Sequence, residues 1–278
     1  MDILIYYYKT YPVVTYSTVV LILVSLCAAL LGVSLVLKRF SMIGDGLSHV
    51  AFGATAMAAA VSQTPVYIAL PFTVLASILL LRMRSNAKVT GEAAIAMISA
   101  GSLAFGYMVM NLFPSIAASS SGDPCVSLFG SDSIIGIKKS DVAVCAVLAV
   151  FVLFIFVFFY NKIFAVTFDE SFSSATGIKT ELYNTMLASV TGVIIVIAMN
   201  MVGALLISAL ITFPALSAMR IFKSFKKVMI CSACISCGCA LVGTIICILA
   251  STPVGPTIAI TNIAVFGICY LLGKALRI

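Results

Sequence analysis

The sequence predicts an all-α, polytopic bundle of transmembrane helices, about eight or nine spans forming one domain over residues 1–278. Hydrophobic residues make up 63% of the chain and charged residues only 9%, whereas roughly a quarter of a soluble domain is charged. Mean hydropathy is +1.23. The apolar residues come in runs near the ~20 needed to cross a bilayer as helix. No succession of ~10-residue alternating segments, the mark of a membrane barrel, replaces them.

Nine candidate spans follow in order: 13–37, 43–61, 65–81, 93–113, 142–160, 182–199, 202–219, 228–250 and 257–272. The start lacks a basic leader and the first run is too long for a cleaved signal, so it is expected to be the first span. The second run is short, opens with Gly44 and Gly46, and follows Lys38-Arg39-Phe40 at once. That pattern suits a helix buried in protein rather than in lipid. Pro71 and Pro214 fall inside spans and are expected to kink them and free a carbonyl. Membrane helices also carry such prolines without any special role. The 41-residue run 182–222 divides into two spans only at the break around Asn200–Gly203.

Counting from an outside N-terminus, this alternation places thirteen of the sixteen Lys and Arg on the cytoplasmic side, leaving Lys9, Lys138 and Lys139 outside. The bias favours N-out and C-in in a cytoplasmic membrane. It also identifies the net charge of +7 as an orientation signal rather than a nucleic-acid patch. Residues 114–140 become the one long extracellular loop, in which Asp123 and Asp132 either meet a docking partner or are simply solvated.

The chemistry concentrates in Gly44-Asp45-Gly46-Leu47-Ser48-His49, which places an acid and the only histidine of the chain inside apolar sequence. Ionisable groups at membrane depth are costly and usually mark a site. Asp45 and His49 stand at i and i+4, on one helical face one turn apart. A carboxylate and an imidazole together suit a divalent transition metal. A buried structural hydrogen bond, or a helix cap, is the alternative use of the same pair. Gly44, Gly46, Ser48, Gly53 and Ala54 leave little bulk nearby, so neighbouring helices or a second copy can approach closely.

A second signal lies in the cytoplasmic segment 161–180. Thr167 and Glu170 fit a capping box, with Thr167 as N-cap, and Gly177 is placed to end the helix. Phe168, Phe172 and Ala175 then share one face of a helix of about two and a half turns. So short a helix gains from docking against something, whether a partner or the bilayer surface. Eight of the nine cysteines fall in apolar runs, so a disulfide framework is not expected. In Cys231-x-x-Cys234-x-x-Cys237-x-Cys239 the first three spread over an arc of about 120° and the fourth points away, which favours packing over metal binding.

At this point the chain resembles the membrane permease of bacterial ABC importers for zinc, manganese or iron. Residues 44–49 resemble that family's G-D-A-L-S-H stretch, with Gly46 in place of alanine. Ser127-Leu128-Phe129-Gly130-Ser131 resembles its L-F-G-S segment. Phe168-Asp169-Glu170 through Ala175-Thr176-Gly177-Ile178 is similar to its coupling segment, although Ser173 and Ser174 depart from the commoner wording. The run from Gly203 to Ala215, which holds the candidate pathway and kink residues Ser208, Thr212 and Pro214, matches a further motif, as does Pro253-x-Gly255-Pro256.

The resemblance implies a type II importer-like permease, homodimeric, with no permanently bound cofactor. It implies an ABC ATPase dimer on the cytoplasmic side, coupled through Phe168, Asp169, Glu170, Phe172 and Gly177. It also implies an extracytoplasmic metal-binding protein, and Asp45 and His49 as contacts for the transported ion. The chain holds no G-x-x-x-x-G-K-[ST] loop, so a separate ATPase must supply the energy. A proton-coupled secondary transporter using Asp45 and His49 is the alternative, but no inverted repeat is visible. An intramembrane hydrolase is disfavoured, because one histidine rules out H-E-x-x-H and no G-x-S-x-G is present.

Overall fold

The computed structural model describes residues 11–60, 65–86, 91–113 and 137–275, and among these described residues it has nine long helices and two short ones. In chain order they are α1 Pro12–Leu37, α2 Ile43–Ala60, α3 Pro65–Asn86, α4 Gly91–Leu112, α5 Lys139–Phe158, α6 Tyr160–Phe168, α7 Glu170–Ala175, α8 Thr180–Val202, α9 Ala204–Ile221, α10 Phe225–Ala250 and α11 Val254–Ala275. No strand occurs among the described residues. Among the described residues seven helices are long and apolar enough to cross a membrane, namely α1, α4, α5 and α8 to α11. Of the other two long helices, α2 is diluted by glycine and polar residues, and α3 keeps an apolar stretch only over Ile68–Leu81. Asp123, Cys125, Asp132 and residues 127–131 lie outside the described residues.

The bundle is organised around α1, α2 and α9. Helix α2 packs against α4 and α3 and also touches α9 and α8, while α1 lies against α10, α9 and α5. Most of α2 is buried, as its composition predicts for a helix enclosed by protein. Its glycines permit the closeness: a Cβ at Gly53 would lie 2.8 Å from the Ser102 carbonyl oxygen of α4, and one at Gly46 2.6 Å from Ile95 Cγ2. Small residues substitute here for the missing hydrophobic drive between helices in lipid. Hydroxyls add cross-links, Ser77 to the Ala188 carbonyl at 2.8 Å and Ser236 to the Ser25 carbonyl at 2.9 Å.

The 41-residue run of apolar sequence breaks at Gly203, whose φ of +88° ends α8 and starts α9. Both α3 and α9 continue through their prolines. Each therefore lacks one backbone hydrogen bond, and in α9 the Leu210 carbonyl is the acceptor left without its i+4 donor. The turn into α2 is equally tight. Arg39, at φ +61°, occupies the left-handed position usually taken by glycine. Its amide donates to Val36 O at 3.0 Å and that of Phe40 to Leu35 O at 2.9 Å, a Schellman closure that reverses the chain within a few residues. The eight described cysteines are all free thiols.

Candidate metal-contact site and coupling surface

Asp45 stands in the first turn of α2, where the helix dipole favours an anion. His49 follows one turn later, and its Nε2 lies 3.5 Å from Asp45 Oδ1. The two side chains differ in access: Asp45 is 46% exposed and His49 16%. The buried Nδ1 of His49 has no hydrogen-bond partner. A pair serving only as structure is expected to satisfy both ring nitrogens. The ring nitrogen that faces the half-open carboxylate is Nε2, and the unpartnered one is the buried Nδ1. Among the described residues no third His, Cys, Asp or Glu joins the pair.

Two of the three candidate pathway residues on α9, Ser208 and Thr212, reach the start of α2. Ser208 Cα would meet a Cβ at Gly44 at 3.4 Å, and Thr212 Oγ1 donates to the Ser41 carbonyl at 3.2 Å. The Ser208 hydroxyl is turned back onto the Ala204 carbonyl of its own helix at 3.0 Å. Pro214 is buried. The small face of α2 therefore accommodates α4 and α9 of the same chain, and the first turn of α2 is clamped against α9.

The coupling segment differs from its expected form. Thr167 does not cap a helix; it is buried in the last turn of α6, because that helix runs on to Phe168. The N-cap of the next helix is Asp169, whose Oδ1 accepts from the Phe172 amide at 2.8 Å. An extended Asp169 thus separates Phe168, the last residue of α6, from Phe172 and Ala175 on α7, where one helix beginning after Thr167 was expected to carry all three. Gly177, at φ +84°, ends α7 as predicted, with the amides of Gly177 and Ile178 donating to Ser174 O and Ser173 O, both at 3.0 Å. Phe168 and Phe172 remain 58% and 65% exposed, while Phe164, Phe168 and Tyr160 pack around Phe225 at the start of α10.

Sequence reasoning missed one further connection. Lys38, only 4% exposed, donates from Nζ to Asn184 Oδ1 in α8, and Asn184 Nδ2 donates to Glu170 Oε1 at 2.7 Å. Lys38 reads in the sequence as an interfacial orientation charge, and nothing in the neighbourhood of Asn184 signals a partner 146 positions earlier.

The fold is that of a helical bundle, seven of whose described helices are long and apolar enough to span a membrane. Residues 10–273 match the ABC 3 transport family, and the chain belongs to it. It is similar to the manganese import system permease protein ScaB of Streptococcus gordonii, 25% identical over 256 residues covering 92% of this chain and 90% of the relative. It is also similar to the high-affinity zinc uptake system membrane protein ZnuB of Haemophilus influenzae, 24% identical over 88% of this chain and 92% of that one. Among solved structures, PsaBC from Streptococcus pneumoniae in complex with Fab shares the fold, with a TM-score of 0.82, 23% identity, and coverage of 97% of this chain and 94% of that one.

Proposed function

We propose that this chain is the single-domain permease of an ATP-driven importer that moves a divalent transition metal, zinc, manganese or iron, through a path lined by Asp45 and His49. The observation that carries the proposal is the Asp45–His49 pair, 3.5 Å apart, with an accessible carboxylate and an unbonded imidazole nitrogen. Two ligands from one chain are fewer than a transition metal takes in a closed site. A passing ion completes its shell with water, freed carbonyls or a second copy of the chain, which suits release as much as capture. Membership of the ABC 3 family favours ATP drive over the proton-coupled alternative. The relatives named for manganese and zinc import support a metal cargo.

The working assembly is a permease homodimer in the cytoplasmic membrane, N-terminus outside and C-terminus inside, with an ATPase dimer docked on the cytoplasmic side and a metal-binding protein outside. The exposed Phe168 and Phe172 beside the capped turn at Asp169 and Glu170 supply an apolar docking stripe. Competition uptake in cells expressing permease, ATPase and binding protein tests the function: one of the three metals should be accumulated in an ATP-dependent manner and displaced by the others. Uptake collapsed by a protonophore and indifferent to ATP would establish the proton-coupled alternative instead.

A further inference from the structure

We infer that Lys38 and Asn184 are positioning residues that connect the coupling helix α7 mechanically to the turn carrying the Asp45–His49 helix. The inference rests on the proposed role of α7 in ATPase docking. Its basis is a continuous polar chain that leads from the exposed Glu170 at the head of α7, through Asn184 near the start of α8, to the buried Lys38 at the end of α1. Glu170 opens α7, its Oε1 accepts from Asn184 Nδ2 at 2.7 Å, and Asn184 Oδ1 accepts from the Lys38 ammonium. The two ends fix the orientation of the Asn184 amide, since only its oxygen can accept from an ammonium and only its nitrogen can donate to a carboxylate. The amide dipole is thereby aligned between a cation and an anion, an arrangement in which each bond strengthens the other.

The position of Lys38 gives the chain its consequence. Lys38 is the C-cap of α1 and is followed by the left-handed Arg39, so a pull on its side chain acts on a turn that is already wound tight. The same turn is held from the other side by Thr212 on the Ser41 carbonyl, and α2 begins at Ile43, two residues before Asp45. A buried ammonium resists separation from its partners because an unpaired charge away from water is costly. Displacement of α7 by a docked ATPase is therefore transmitted to the base of α2, rather than absorbed by a loose contact, and it arrives next to the ion ligands.

The test uses the whole transporter, with permease, ATPase and binding protein reconstituted in liposomes, and reads metal moved per ATP hydrolysed along with the ATPase retained by the permease. Asn184→Ala and Lys38→Met should keep the ATPase bound and hydrolysing while metal moved per ATP falls about tenfold, within the usual range of coupling between sites. Asn184→Asp alone sets a carboxylate against Glu170 and should uncouple as strongly. Combining it with Glu170→Gln reverses the sense of the second bond, keeps one cation and one anion in the chain, and should restore transport above either single variant.

Wild-type metal per ATP in Asn184→Ala, or no restoration in the paired variant, overturns the inference. So does loss of the bound ATPase from Asn184→Ala, which would make the residue a docking contact. Should Lys38→Met fail to insert, Asn184→Ala and the paired variant decide alone. Phe172→Asp separates the two proposals: if it uncouples while Asn184→Ala does not, only the connection falls, and if it leaves transport intact, the coupling role of α7 falls with it.

Discussion

Thr212 on α9 donates its hydroxyl to the backbone carbonyl of Ser41, 3.2 Å away and 171 positions earlier in the chain, so the helix that contains Pro214 holds the turn that aims Asp45. Thr212→Val keeps the volume and removes the donor. It should cost about 1 kcal/mol and lower uptake several-fold per inserted molecule, whereas Thr212→Ser should stay near wild type. Equal uptake in the two variants would show that the tie has no part in transport.

The ion-contact assignment is tested by Asp45→Asn and His49→Ala. The first preserves shape while removing the charge that offsets a dication in a poorly screened path, and uptake should fall by at least about tenfold. The second should abolish uptake or shift preference toward metals that favour oxygen ligands. Transport is normalised to the amount of inserted protein, because a merely structural pair would lower expression and leave turnover per molecule intact.

Glycine substitutions separate close packing from plain helix propensity. At Gly53 a Cβ runs into the Ser102 backbone oxygen, so Gly53→Val should destabilise by about 1–3 kcal/mol and lower the melting temperature in detergent. Gly238, in the middle of α10, has nothing within 4 Å of its would-be Cβ. Gly238→Ala should be neutral or stabilise by about 0.5–1 kcal/mol. Similar melting temperatures for both variants would contradict the close approach of α2 and α4.

Phe172→Asp and Gly177→Val probe the coupling segment in different ways. Phe172 is open to a partner, so the charge should uncouple ATP hydrolysis from uptake without touching the fold. Gly177 has free space but a φ of +84°, and its valine variant should strain the end of α7 by about 1–2 kcal/mol. Uptake at the wild-type level in both would remove the coupling role.

Orientation is read by impermeant thiol labelling of a cysteine placed at Ser224, the N-cap of α10. Labelling should proceed only from the cytoplasmic side, with native Cys239, buried in the bundle, remaining slow. Labelling of Ser224→Cys from outside would invert the topology.

The sequence by itself determined the helical membrane class, the approximate positions of the long helices, the break at Gly203 and the terminus at Gly177. These depend on local matters: a run of apolar residues long enough for a bilayer, and glycines that accept a positive φ. The Asp45–His49 pair was equally legible, since i and i+4 on a helix face the same way whatever surrounds them. The cap of α7 was misplaced because Thr167 and Asp169 are both good capping residues two positions apart, and the choice between them depends on how far α6 continues before Phe168 and Phe164 pack on Phe225. Only the tertiary structure decided that α9 clamps the base of α2, and that Lys38, Asn184 and Glu170 meet. Those contacts join residues far apart in the chain, and neither periodicity nor spacing encodes a partner that lies on another helix.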